Sequence, residues 1–449
     1  MTDKFDKIIG YDSFKKDLRC LADMLSNTAR YKKFCTDLPK SLLIYGNPGV
    51  GKTLAATILL QESKRHSYII RKDRSDNELL NYISDTFKDA VNNQPSIILL
   101  DDLDKFAEGD EDTYNDSAFV LVQSLLDAYN EDDIFVVATV NDITELPDSL
   151  LRAGRLGRHM HFDLPSNADA LAIINHYLKS TKYKLDVSTD IIARIMQGYS
   201  CADLKNVISE ASLSAGYAKR KNINKDDIKD ALLHGVLGVR DTYGKTDDES
   251  NLRTIYHEAG HAIVALALGN EVDMISSVVS GDIGGFTLKG DGWQEENLVC
   301  NYNYRDYVLN CLVDFGGKAA TELIFGDIDL GTYSDLNYAR KNIDAAIGNL
   351  GAKGFKHIRA HGKVVSIESD IHLEVVKQMK QFYKHAKNII KHNLNLLFAI
   401  RDELLKCPIL LYDDIIEIVN NIGIHTFDYD KHYSKRGINV NRYRNSAKN

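Results

Sequence analysis

Two histidines stand four residues apart in TIYHEAGHAIVALALG (254–269), with a glutamate directly after the first. On a helix, positions i and i+4 share a face, so His257 and His261 can bind one metal ion together. Glu258 is then angled toward the open side of the metal, where a general base for a bound water belongs. Two imidazoles leave zinc short of a third protein ligand, which can lie far along the chain. An apolar helix can also carry such a pair by accident, so its surroundings have to decide.

A second constellation lies upstream. IYGNPGVGKT holds Gly46, Asn47, Pro48, Gly49, Val50, Gly51, Lys52 and Thr53, followed by Leu54, after an apolar run and before a helical pattern. Glycines at this spacing let backbone N–H groups curl around phosphates. Lys52 adds a point charge, and the Thr53 hydroxyl suits a magnesium ion. In SIILLDDLD, an apolar strand ends on Asp101, which can hold the magnesium's water shell. Asp102 stands where the attacking water would be polarised, and Asn141, closing VVATVN, where it would be oriented. Arg155 and Arg158 in LLRAGRLGRHMHFDLP can act as arginine fingers only across a subunit boundary. Taken singly they read as surface charges.

These residues need a frame. From about residue 40 to 164, short β-rich runs (KSLLIYG, SIILLDD, DIFVVATVN) alternate with helical patterns, which predicts a parallel sheet covered on both faces. Residues 166–235 read as helices only, with Ser166 and Asn167 opening the first. The polar stretch 238–250 reads as a linker. From residue 251 the pattern is a helix, a glycine-punctuated strand pair over 272–290, then long helices to about 422. The tail after 426 is polar and basic.

Composition sets the limits. A chain of 449 residues suits two or three domains, and 44% apolar with 27% charged residues is ordinary for a globular protein. A net charge of −9 argues against a nucleic-acid coat. The tail KHYSKRGINVNRYRNSAKN alternates basic residues with tyrosine, but a short basic tail on an acidic body is more often solvated disorder. Six scattered cysteines without a C-x-x-C pair fit a reducing compartment. No apolar run near the histidine pair approaches the ~20 residues of a membrane span, and no signal-peptide core opens the chain. A cytoplasmic protein is expected.

The first half resembles the AAA+ ATPases. FDKIIGYDSFKKDL looks like the segment that passes the adenine, with Ile8, Ile9 and Gly10 at the matching place. GYSCADLKNVISEASLSA looks like the helix of the second sensor, with Ala202 at its small-residue position. A HEAGHAIVAL helix after such a module resembles the FtsH family of ATP-dependent zinc proteases. DIGGFTLKG resembles that family's cleft-lining strand, and GGKAATELIFGDIDLGTYSDLNYARKNI its next helical signature. The resemblance covers roughly residues 5–425. It implies an α/β AAA+ module (parallel sheet with helices on both faces, plus a helical lid) followed by a mainly α-helical zinc metallopeptidase domain. The implied bounds are 1–164 for the nucleotide-binding subdomain, 165–237 for the lid, 238–250 for the linker, 251–425 for the peptidase and 426–449 for the tail. It places the third zinc ligand on Asp335, which by itself also reads as a helix N-cap, and puts Glu322 beside the metal in a supporting role. The implied chemistry is attack of a metal-activated water on a peptide carbonyl, with Glu258 as base, in a homohexamer that uses ATP, magnesium and one zinc per subunit on protein substrates.

Three departures bear on function. The family usually begins with membrane helices and this chain shows none, so soluble substrates are expected. Asp102 replaces the family's usual glutamate, which draws the carboxylate back by about 1.5 Å and can cost ~100-fold where water must be positioned. The pore loop looks shortened, leaving RKDRSDNE ahead of the helix that carries Phe87. Tyr68 and Tyr82 read as packing residues, and the second pore segment, EGDEDTYND, reads as a solvated acidic loop. The alternative to a protease machine is a nucleotide-gated switch or remodelling ATPase with weak or partner-restricted peptidase activity. Lys52→Ala is expected to abolish nucleotide binding, and ATP hydrolysis unchanged in that variant would sink the phosphate-site assignment.

Overall fold

The computed structural model describes residues 3–34, 37–107, 117–181, 183–235, 249–278, 285–289, 304–353 and 365–433. The EGDEDTYND segment, nearly all of the linker and the tail from 434 onward lie outside them. The chain divides into two compact units, Met1–Val236 and Leu237–Asn449.

The first unit runs α1 (Asp12–Ser26), α2 (Thr28–Tyr31), β1 (Ser41–Tyr45), α3 (Lys52–Glu62), β2 (His66–Ile70), α4 (Asp76–Asn92), β3 (Ser96–Leu100), α5 (Ser117–Ala128), β4 (Ile134–Val140) and β5 (His159–His161). It continues with α6 (Asn167–Thr181), β6 (Lys184–Leu185), α7 (Thr189–Ile195), α8 (Cys201–Tyr217), β7 (Asn222–Ile223) and α9 (Lys225–Gly235). Strands β1 to β5 form one parallel sheet in the order β2-β3-β4-β1-β5. Because side chains alternate along a strand, Leu42, Ile44, Ile97, Leu99, Phe135 and Val137 pack with α1 and α3. Leu43, Ile98, Leu100, Val136 and Ala138 pack with α4 and α5 on the other face. Burial on both faces is why β1, β3 and β4 are legible as continuous apolar runs.

The edges were not legible. HSYII of β2 has three exposed residues, and HMH of β5 is three residues long. Tyr68 sits on β2, its hydroxyl donating to Asp89 O at 3.1 Å. Tyr82 sits on α4 under the Arg74 guanidinium, 3.8 Å from its ring centre. Phe87 is buried on α4. Residues 166–235 are not helices only, because β6 and β7 form a two-residue parallel pair. So short a pair leaves no periodicity to detect. The expected start of α6 holds, with Asp169 N donating to Ser166 Oγ at 3.2 Å.

The second unit runs α10 (Glu249–Ala267), β8 (Val272–Ser276), β9 (Phe286–Lys289), α11 (Tyr304–Asp314), α12 (Gly316–Phe325), α13 (Tyr333–Gly348), α14 (Val365–His392), α15 (Leu394–Lys406), β10 (Ile409–Leu411), α16 (Tyr412–Ile422) and α17 (Tyr429–Tyr433). The expected strand pair is joined by a third strand, giving an antiparallel sheet in the order β10-β8-β9. Among the described residues, no helix is long and apolar enough to cross a membrane.

Helix α10 is the centre of this unit. Ile255, Ala259, Ala262, Ile263, Val264 and Ala265 are all buried, so the helix is apolar almost all round and packs on several neighbours. Its crossing with α12 is backbone on backbone. A Cβ added to Gly260 would lie 2.4 Å from Gly316 O, and one added to Gly316 would lie 2.6 Å from Gly260 O. Gly260→Ala ordinarily favours a helix by about 1 kcal/mol. Here the clash should reverse the sign, with a net loss of about 2–4 kcal/mol in urea unfolding. A gain in stability would show that the helices do not cross this closely.

Candidate functional site

The phosphate loop lies between β1 and α3, and Asp101 and Asn141 follow the ends of β3 and β4, the next strands in the sheet. Parallel strands thus bring all three to one edge, where open α/β sheets bind ligands. Lys52 is buried, and its Nζ donates to Gly46 O at 2.6 Å, Asn47 O at 3.0 Å and Asn141 Oδ1 at 2.9 Å. Burial pulls its ammonium below the usual range, against the pull of Asp102, Asp104 and Asp101. Thr53 Oγ1 donates to Asp101 Oδ1 at 2.8 Å, and Thr139 Oγ1 to the same oxygen at 2.9 Å. The adjacent hydroxyl and carboxylate are hard oxygen donors of the kind magnesium takes.

Around the loop, Asn47, Pro48 and Leu54 are exposed and Val50 is buried. Ala202 N donates to Gly49 O at 3.1 Å, so α8 touches the phosphate loop directly. Its start is fixed by a capping box, Ser200 with Asp203. Ile8 is buried, Ile9 and Gly10 are half-buried, and Tyr11 N ties the segment to α6 through Asp169 Oδ1 at 2.7 Å.

Asp102 and Asn141 do not pair. The Asp102 carboxylate meets Lys105 Nζ at 2.8 Å. Asn141 is held instead by Asp104, whose Oδ2 accepts from its backbone N at 3.0 Å and from Nδ2 at 2.9 Å. That contact turns Asn141 Oδ1 toward Lys52. Asp104 was missed, although DDLD shows a third carboxylate one short turn beyond Asp101. Arg155 makes a two-point pair with Asp127 at 2.8 and 2.7 Å and donates to Ser149 O at 2.6 Å. It is therefore engaged by its own chain. Arg158 is exposed.

In the second unit, α10 presents His257, Glu258 and His261, and the first turn of α13 presents Asp335. The three candidate ligand atoms converge, with His257 Nε2 and His261 Nε2 3.0 Å apart. Asp335 Oδ2 lies 3.0 Å from the first and 3.4 Å from the second. A tetrahedral zinc ion with bonds of about 2.0–2.2 Å spaces its ligands roughly 3.3–3.5 Å apart. The donors lie close to one face of that shell, and Asp335 Oδ2 is buried against the two imidazoles. His261 Nδ1 lies 2.7 Å from Val313 O, a contact that fixes the tautomer and leaves Nε2 to the metal.

The electrostatics also favour a cation here. Burial opposes charge on His261, yet Asp335 overrides it and pushes the imidazole up to about 9. Burial likewise opposes charge on Asp335, and the two imidazoles hold its carboxyl far below the usual range. Glu258 is buried, which pushes its carboxyl up against the pull of His261 and His257. Thr287 Oγ1 on β9 lies 3.0 Å from both Glu258 Oε2 and Glu258 O.

Gly317 was not singled out by the sequence. A Cβ there would lie 2.4 Å from His257 Cε1 and 2.6 Å from His261 Nε2, so α12 passes the imidazoles only as glycine. Two expectations are corrected. Asp335 is not the N-cap of α13, a position held by Thr332. Glu322 is drawn to Lys318 Nζ at 2.6 Å and to the Tyr383 hydroxyl, not to the ligands, because Lys318 lies one turn before it on α12. The expected cleft strand is described only from Gly285 onward. Asp335→Ala should lower zinc affinity at least about 100-fold, read as metal content after dialysis. Full retention would point to a different third ligand.

Residues 42–164 match the ATPase family associated with various cellular activities (AAA), residues 186–230 the AAA+ lid domain, and residues 245–418 peptidase family M41. The chain is 28% identical to the ATP-dependent zinc metalloprotease FtsH of Aster yellows witches'-broom phytoplasma (strain AYWB), covering 95% of this chain and 65% of that protein. It is 30% identical to the FtsH of Leptotrichia buccalis, covering 93% and 57%, and 32% identical to FtsH 2 of Salinibacter ruber, covering 79% and 53%. The chain thus spans less than two thirds of the length of these relatives. With AAA, lid and M41 regions in this order, the chain belongs to the FtsH-like family of AAA+ zinc metalloproteases.

Proposed function

We propose that the chain is an ATP-dependent, or at least ATP-assembled, zinc endopeptidase that degrades soluble or loosely folded proteins in the cytoplasm. What carries this function is the convergence of His257, His261 and Asp335 beside the buried carboxylate of Glu258. Zinc held there supplies a Lewis acid for the peptide carbonyl and lowers the pKa of water. Glu258 takes the proton of the attacking water and passes it to the leaving amine. Its raised pKa suits a group that must both accept and return a proton. Thr287 holds Glu258 in place, and the outer edge of β9 offers main-chain groups to an extended peptide, which gives loose side-chain preference.

In the nucleotide half, Lys52 and the loop amides hold phosphate, Thr53 and Asp101 hold magnesium, and Asn141 orients water. Arg155 and Arg158 act on the nucleotide of a neighbouring copy in a homohexamer, which requires Arg155 to leave Asp127. The domain bounds are those expected from the sequence, with the nucleotide subdomain at 1–164, the lid at 165–237, the linker at 238–250, the peptidase at 251–425 and the tail at 426–449. The Asp102–Lys105 pair favours slow ATP turnover. It is the observation behind the second reading, a nucleotide-gated switch or remodelling ATPase with weak or partner-restricted peptidase activity.

The deciding experiment is cleavage of unstructured casein by the zinc-loaded protein with no nucleotide, with ATP, and with a non-hydrolysable analogue. Glu258→Gln serves as the blank and is expected to lose at least about 100-fold in rate. Cleavage with ATP alone means the ring pulls substrate, and equal cleavage with the analogue means nucleotide only assembles it. No cleavage in any lane, with zinc bound, favours the switch.

A further inference from the structure

Among the described residues, Asp101 is the carboxylate that meets the phosphate-loop hydroxyl of Thr53, yet its second oxygen is already taken. Arg71 Nε donates to Asp101 Oδ2 at 2.9 Å, while Thr53 and Thr139 share Oδ1. The Asp101 side chain is 6% exposed and that of Arg71 54%, so the arginine reaches inward from the surface to a buried acid. Its position is fixed by the sheet. Asp101 N donates to Ile70 O at 3.0 Å, and Ile70 pairs with Leu100 in the β2–β3 ladder. Arg71, the next residue after β2, is therefore delivered beside Asp101 by strand register.

A guanidinium on one oxygen of this carboxylate weakens the hold of the other oxygen on a divalent cation. Two cations within about 4 Å repel by roughly 4 kcal/mol per pair of unit charges at an effective dielectric near 20, and magnesium carries two. The site balances its charges internally. Arg71 neutralises Asp101, Lys105 neutralises Asp102, and Lys52 lies among the three acids.

We propose that Arg71 is a cation of the nucleotide site that acts within its own chain. It holds Asp101 until magnesium arrives with the nucleotide and yields it then, so that metal loading releases the segment 71–75 from the site. That segment leads directly into α4, where Lys72 meets Asp76 at 3.5 Å and Arg74 covers Tyr82. Arg71 is thus a positioning residue that raises the magnesium required for nucleotide binding and couples the site to the start of α4.

The inference rests on the phosphate-site assignment, and its test keeps the two apart. Binding of a fluorescent ATP analogue to the full chain is titrated with magnesium for the parent protein, Arg71→Gln, Arg71→Lys and Lys52→Ala. Arg71→Gln should need about three- to tenfold less magnesium for half-maximal binding, the range open to a charged hydrogen bond from a half-exposed group. Arg71→Lys, which keeps the charge but not the Nε geometry, should fall between. An unchanged magnesium requirement in Arg71→Gln overturns the inference. So does a loss of analogue affinity at saturating magnesium beyond about tenfold, which would make Arg71 a direct phosphate ligand. Parent-like binding by Lys52→Ala would instead remove the phosphate-site assignment itself.

Discussion

The contact between the backbones of Gly260 and Gly316 is the constraint on which the metal centre depends. Two helices come this close only where neither carries a side chain at the crossing, and neither position admits a Cβ. The approach brings the α11 carbonyl of Val313 to His261 Nδ1, which sets the tautomer. It also carries Gly317 beneath both imidazoles, leaving their Nε2 atoms turned to one point. Asp335 completes that point from α13. A looser crossing would keep all four residues and lose the 3 Å convergence that makes them a site.

The nucleotide site depends on a different constraint, the register of a parallel sheet. Adjacent strands end at one edge, so residues that follow β1, β3 and β4 meet there regardless of their distance in sequence. That edge is crowded with acids, and each acid is assigned a different partner. Asp101 takes Thr53, Thr139 and Arg71; Asp102 takes Lys105; Asp104 takes Asn141. The substitution that the sequence flags at Asp102 therefore changes more than the reach of one carboxylate. It leaves Asp102 in an ion pair with Lys105, three residues on, while Asp104 holds the Asn141 side chain. Charge is balanced locally here, each acid meeting a donor or cation of its own chain.

The two centres share a design. In each, a titratable group is buried: burial pulls the Lys52 ammonium down against three acids and pushes the Glu258 carboxyl up against two imidazoles. Each is steadied by a polar neighbour, Lys52 by Asn141 that Asp104 holds and Glu258 by Thr287, and of these the sequence reading singled out neither Asp104 nor Thr287.

The sequence by itself determined what is local. Glycine spacing around Lys52, the i and i+4 histidines with their glutamate, and strands buried on both faces are all written within windows of about ten residues, where one backbone conformation fixes which side chains share a face. Resemblance extended that to Asp335, 74 residues beyond His261, which no spacing rule selects. Tertiary structure alone decided the rest. The edge strands β2 and β5, the pair β6–β7 and the added strand β10 are short or half-exposed, and partners distant in sequence make them strands. The roles of Arg71, Asp104, Thr287 and Gly317 arise from ladder register and helix crossing, which place residues by neighbours in space. A hydrogen bond across 30 residues, or a Cβ that would strike an imidazole, leaves no mark on the residues between.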